Sequence, residues 1–455
     1  METLLLDVAR RTGRYLDLKR ERVAPISAAL DALASVSDAL PPGPVDVEAI
    51  VETLDTIGSP ATMRSTSGRY FGFVNGGTLP AGLVAAMFVA AWDQNAALPV
   101  MSPAAARFDQ IAADWIVELL GLPSSAEATF CGGASIANLT CLVAARDAIF
   151  DNLGWDSRHD GLMGAPRLRI VSTAETHVTI DRALRVAGIG RSAVETIPTD
   201  ACGRAITNAT PPLDDHTIVV LQAGNVNTGH SDPFAEIIAK AHDADAWVHV
   251  DGAFGLWAAA SPSRRHLVEG IELADSWATD CHKWLNVPYD SGVSILRDPS
   301  TARRSMAAGA AYLTDDEGRA PMHQGLQMSQ RARGVEAWAT ITSLGRSGVA
   351  ALVDDLSDHA ARLGRLLCSE GAELLAPAVL NQALVAFGDD ATTEAVIEAV
   401  QADGRIWAGG TRWQGRSAMR LSVSSHATTD ADVNLSAAVI IECWRSLTTR
   451  PPDAA

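Results

Sequence analysis

Four short runs constrain this chain more than anything else in it: LRIVST (168–173), HTIVVLQA (216–223), AWVHVD (246–251) and SGVSILR (291–297). Each is rich in valine and isoleucine, and apolar for most of its length rather than alternating. A strand of that kind has no face to give to water, so its sheet must be covered on both sides. Helical patterns fill the gaps between the runs, and a helix between two strands is the connection that parallel pairing needs. Residues 81 to about 300 therefore predict an α/β fold with a mainly parallel sheet. Beyond it the pattern changes. Residues 334–371 look helical, NQALVAFG and SAMRLSVSS read as strands, and helices are expected around 392–402 and 429–447, which makes a smaller α+β unit. The expected division is a helical segment over 1–75 with PPGP as a breaker at 41–44, a large domain over 76–305, and a loop with a small carboxyl-terminal domain over 306–455.

Composition narrows the function classes. The formal charge is −18 over 455 residues, and no block of basic residues could track a phosphate backbone, which argues against a nucleic-acid partner. The longest apolar run, AGLVAAMFVAAW (81–92), is 12 residues, too short for a bilayer and suited to a buried helix. The amino terminus lacks the basic start and apolar run of a signal peptide. The six cysteines (131, 141, 202, 281, 368, 443) are scattered without metal-like spacing and read as reduced, mostly buried thiols, with no metal expected. The expectation is a cytoplasmic protein with no membrane partner.

Four features carry chemistry. The chain has three lysines, Lys19, Lys240 and Lys283, and Lys283 stands in the largely uncharged run DCHKWLN. A lysine whose surroundings free its amine forms imines with carbonyls, although a surface loop would also hold one. Asp251 ends an apolar strand, where a carboxylate caps a turn or pairs with a cationic ring nitrogen. FCGGASIANLT (130–140) opens a helix with small residues, a place for a phosphate, and lacks the lysine of a nucleotide loop. His177 falls between a strand and a helix, to cap the helix or to face the ligand edge of the sheet.

With these residues in view, the chain resembles the group II pyridoxal-phosphate-dependent amino acid decarboxylases over about residues 60–435. SGRYFGFVNGG, SPAAARFDQIAADWIVELLGLP, GGASIANL, HVDGAFG, ADSWATDCHKW and TRWQGRSAMRLSVSSHATTDADV are similar to ordered motifs of that family. The resemblance implies fold type I, the aspartate-aminotransferase-like architecture, with pyridoxal 5'-phosphate as cofactor. It implies that Lys283 holds the cofactor aldehyde, His282 helps bind its phosphate, Asp251 pairs with the pyridine nitrogen, and Ala253 and His177 cover the ring's two faces. Gly133, Ala134 and Ser135 would cradle the phosphate, and Asn225 would stand near the ring oxygen. Family members are homodimers with shared active sites, so Tyr70 and Phe71 are expected in a partner's pocket. Asn75 and Arg420 are expected to contact substrate, Arg420 through a carboxylate. The implied reaction is decarboxylation of an L-amino acid through an external aldimine and a quinonoid, releasing carbon dioxide and amine. One departure matters: the family's loop tyrosine is missing from LTDDEGRAPMHQG (313–325), which leaves Tyr312 before it and His323 as the replacement acid. That loss keeps open decarboxylation with oxidative deamination to an aldehyde, β-elimination, or a cofactor-binding protein without catalysis.

Overall fold

The computed structural model describes residues 1–17, 21–307 and 319–448. Tyr312 and residues 313–318 lie outside the described residues. A seven-stranded sheet is built from β1 (Glu127–Cys131), β2 (Arg169–Thr173), β3 (Val194–Ile197), β4 (Thr217–Gln222), β5 (Trp247–Asp251), β6 (Ser276–Asp280) and β7 (Gly292–Leu296). Their order is β1-β7-β6-β5-β4-β2-β3, and all neighbours are parallel except β7, which runs against both β6 and β1. Two reversals cancel, so β1 points the same way as β6. The carboxyl ends of β1, β2, β4, β5 and β6 therefore share one edge. The four runs read from sequence become β2, β4, β5 and β7. Strands β4, β6 and β7 are buried along their whole length, as a sheet covered on both faces requires.

Helices Ala134–Asn152, Val178–Val186 and Phe234–His242 supply the cover between strands. The helical stretch Arg333–Ser369 is broken at Gly345, whose φ of +62° is left-handed. It packs on helices Pro80–Trp92 and Pro103–Leu119 and also on the second sheet. That sheet contains β8 (Glu373–Leu374), β9 (Gln382–Ala386), β10 (Gly409–Trp413) and β11 (Arg416–Ser422), antiparallel in the order β10-β11-β9-β8. Strand β10 is not evident in the sequence, because GGTRW has no apolar run. It forms because Gln414 and Gly415 both take positive φ, the two-residue hairpin turn whose twist matches its strands.

The amino-terminal segment forms helices Glu2–Asp17, Ser27–Ala34 and Val47–Thr53, with PPGP outside them. The expectation of a buried helix at 81–92 needs correction. Pro80–Trp92 is helical, but only Gly82, Ala85 and Val89 are buried, while Val84, Met87 and Phe88 are each more than half exposed. The segment is apolar all round, so burying one face inside the chain leaves the other uncovered. All six cysteines are free thiols, and Cys131, Cys141, Cys281 and Cys443 are buried. Among the described residues no helix is long and apolar enough to cross a membrane.

Candidate active site

The shared strand edge holds a cavity of about 160 Å³, lined among others by His177, Gln222, Asp251, Ala253, Lys283 and Arg420. His177, Gln222, Asp251 with Ala253, and Lys283 come from the ends of β2, β4, β5 and β6, which is how an open α/β sheet builds a ligand site, and Arg420 reaches it from β11 of the second sheet. Asp251 closes β5 and is 4% exposed, with Ala253 N donating to its Oδ1 at 3.2 Å. Burial pushes its carboxyl up, and the neighbouring His177 and Lys283 pull it back. On the same strand, His249 Nε2 lies 2.9 Å from the Asn138 Oδ1. Full burial lowers the His249 imidazole to about 3, so it stays neutral.

His177 does both things its position allows. It caps helix Val178–Val186 by accepting from Thr179 N at 3.4 Å, and it lines the cavity. Burial pushes its imidazole down, Asp251 draws it back up, and Lys283 and Arg420 lower it further. A neutral ring results, suited to lying on another ring. Arg420, on β11, is largely buried, and burial lowers its guanidinium. No carboxylate is paired with it among the described residues. A desolvated cation without a partner is costly unless an anion is to be bound there.

The glycine turn expected to cradle a phosphate packs against His282, beside Lys283 of this cavity. Gly133, with φ of +138°, precedes helix Ala134–Asn152, and a Cβ there would stand 3.5 Å from the His282 Cε1. Gly292, paired with both Cys131 and Asp280, sits so close that its Cβ would come within 2.3 Å of the Gly133 Cα. Ala134 is buried and Ser135 is exposed at the first turn, which leaves its hydroxyl open. His282 Nδ1 accepts from Ser291 N at 3.1 Å, its ring packs 4.2 Å from Tyr289, and burial lowers its imidazole. Tyr289 in turn donates to Asn75 Oδ1 at 2.8 Å, so Asn75 braces the cradle's wall and is not among the cavity's lining residues.

Three expectations are corrected. Tyr70 and Phe71 are 6% and 0% exposed in the single chain, so neither is offered to a partner. A bridge between Tyr70 and Trp407, with Phe71 N donating to the Trp407 carbonyl, draws them into the core. Phe73 and Val74 line the cavity instead, both at left-handed φ (54° and 58°). Such strain in a β-branched residue persists only where its surroundings hold it. Asn225 also stays out of the cavity. Its Oδ1 accepts from Asn227 N and Thr228 N in a local turn, and its Nδ2 faces Gly203. Gln222, at the end of β4, is the amide that reaches the cavity. Finally, His323 does not line it. The turn Pro321–His323 is anchored by Met322, which packs with Ala97 and Leu98.

The sequence reading missed Gln222, Asn138, Gly292 and Asp280. Asp280 closes β6 as Asp251 closes β5, a signal that was there to read. Gln222 and Gly292 depend on cross-strand register, and Asn138 on how its helix packs against β5, which no single run displays.

A lysine, a strand-end carboxylate, an imidazole and a glycine turn gathered on one sheet edge fit a pyridoxal-phosphate enzyme of fold type I. More narrowly, the pyridoxal-dependent decarboxylase conserved domain matches residues 31–388, and the chain belongs to that family of carboxy-lyases. An aromatic-L-amino-acid decarboxylase of Bacillus atrophaeus is 28% identical over 299 residues, 63% of this chain and 60% of that protein. A phenylacetaldehyde synthase of Petunia hybrida is 24% identical over 372 residues, 77% of this chain and 72% of that protein. The solved Oryza sativa TDC with PLP and tryptamine superposes with a TM-score of 0.89 at 22% identity, over 98% of this chain and 97% of that one. Pyridoxal phosphate fits the residues present: the cradle is narrowed by two glycines, a buried carboxylate waits at the strand end, and Lys283 stands between them.

Proposed function

We propose that this chain decarboxylates an L-amino acid, with pyridoxal phosphate held by Lys283, Asp251, His177 and the Gly133–Ser135 cradle. The observation that carries the reading is the convergence of Lys283, Asp251, His177 and Arg420 on one cavity. Pyridoxal phosphate, when bound, supplies the electron sink that takes up the bonding pair as carbon dioxide leaves. Lys283 Nζ would hold the cofactor by its aldehyde carbon. Asp251 would keep the proton on the ring nitrogen. His177 and Ala253 would cover the ring and shut out water. Arg420 orients a substrate carboxylate, and Phe73, Val74 and Phe254 give the substrate side chain an apolar wall.

A second reading has its own support. The loop stretch 313–325 lacks a tyrosine, His323 stands outside the cavity of its own chain, and aldehyde synthases are among the relatives. The reaction would then consume dioxygen and water, and end in an aldehyde, carbon dioxide, ammonia and hydrogen peroxide.

A homodimer is part of the proposal. The uncovered apolar face of Pro80–Trp92, with Leu5, Leu6 and Leu16 of the first helix also exposed, is more apolar surface than a lone chain should present. Action in the cytoplasm is proposed with it.

A panel of L-amino acids, with carbon dioxide, amine, aldehyde, ammonia and peroxide assayed together, tests the reaction. Carbon dioxide with amine supports decarboxylation, aldehyde with ammonia and peroxide the second reading, and none of these overturns both. The wild-type protein should be yellow and Lys283→Ala colourless. A yellow Lys283→Ala variant removes Lys283 from the cofactor role.

A further inference from the structure

Asp280 has no part in the reaction just described, yet it stands at its centre. The residue is 2% exposed at the end of β6. Its Oδ1 accepts from Ala134 N at 2.6 Å, the first N–H of the cradle helix, and its Oδ2 lies 2.9 Å from Lys283 Nζ. The His282 Nε2 is 3.7 Å from the same Oδ2. Cys131, His177, Cys281 and Tyr289 are the other titratable groups that feel its charge. The Arg333 guanidinium near Gly132 is already taken by Asp290.

A cradle built for a phosphate thus carries a buried carboxylate inside it. A phosphate monoester brings one and a half to two negative charges at neutral pH. Asp280 takes one of the helix N–H groups that such an anion would use, and repels it in surroundings with little water to screen the charge. We propose that Asp280 is a positioning residue that restrains the affinity of the cradle for the cofactor phosphate. Binding adds negative charge beside Asp280 and competes with it for the Ala134 N–H, so cofactor binding is weakened. The inference rests on the assignment of Lys283 as the cofactor lysine.

The test compares wild type with Asp280→Asn, which keeps an oxygen for the Ala134 N–H and loses the charge. Cofactor affinity is read by titration and by dissociation of the holoenzyme, for pyridoxal phosphate and for pyridoxal, which has no phosphate. In Asp280→Asn we expect pyridoxal phosphate to bind about tenfold tighter or more, with a smaller gain for pyridoxal. A residue that only caps the helix would change the two affinities alike. Unchanged or weaker affinity for pyridoxal phosphate, or an equal change for both, in a variant that folds and turns yellow overturns the proposal. If Asp280→Asn does not fold, Asp280→Ser carries the same expectations. A colourless wild type would instead defeat the assignment of Lys283, which keeps the two failures apart.

Discussion

Single residues here are governed by what burial does to charge. Arg420 is largely desolvated and unpaired by any carboxylate among the described residues, so its energy is best recovered by a bound carboxylate. Arg420→Gln is expected to raise KM for the best substrate of the panel by roughly tenfold to a hundredfold, the range of one charged hydrogen bond. A smaller effect on kcat is expected, and steady-state kinetics checks both. His249 shows the opposite arrangement, a histidine kept neutral by burial with its Nε2 2.9 Å from the Asn138 Oδ1. Its folded value of about 3 lies below the ordinary 6.5, so the unfolded chain binds the extra proton between those limits. The His249 contribution to stability is therefore complete above about 6.5 and falls as pH drops, by about 1.4 kcal/mol per pH unit. Asp232, raised to about 6 by burial, acts in the other direction. The difference between wild type and His249→Gln isolates the histidine: denaturant unfolding should show a shallower acid loss in the variant.

Elements place these groups through register. Strand β7 reverses direction between β6 and β1, and that reversal sets Gly292 between Cys131 and Asp280. Because Gly133 crosses directly over Gly292, the phosphate cradle and the start of β7 are one packed unit. Gly292→Ala is expected to push the cradle away, weakening pyridoxal phosphate binding and destabilising the protein by about 1–3 kcal/mol, the usual cost of overpacking. Cofactor titration and a thermal melt check this together. The contiguous runs LRIVST, HTIVVLQA and AWVHVD were legible because a buried strand must be apolar throughout. Strand β10 and the broken helix around Gly345 were not, since they depend on turn conformation and not on hydrophobic pattern.

The whole molecule leaves an apolar helix face uncovered. Val84, Met87 and Phe88 recur at helical spacing on the outer side of Pro80–Trp92, each more than half exposed. If a second copy covers this face, Phe88→Glu should shift the protein from dimer to monomer in sedimentation, with Lys283 colour retained at least in part. An unchanged dimer would place the interface elsewhere. The exposed leucines of the amino-terminal helix belong to the same expectation, since that helix has no buried residue in the single chain.

Sequence alone determined the layered α/β sheet and the smaller second unit, and it singled out Lys283, Asp251, His177 and the glycine turn as candidates. These follow from local chemistry: an apolar run must be buried, an imine needs an amine, and a phosphate needs exposed N–H groups. Tertiary structure alone decided that Tyr70 and Phe71 belong to the core while Phe73 and Val74 face the cavity, that Gln222 and not Asn225 reaches it, and that Asp280 stands between Lys283 and the cradle. Those outcomes turn on which side of a strand end or turn a residue points to, and that is settled by cross-strand register and by competition for backbone hydrogen bonds. The lysine in DCHKWLN could be found by reading; the carboxylate three residues before it acquired its meaning only when the strands were paired.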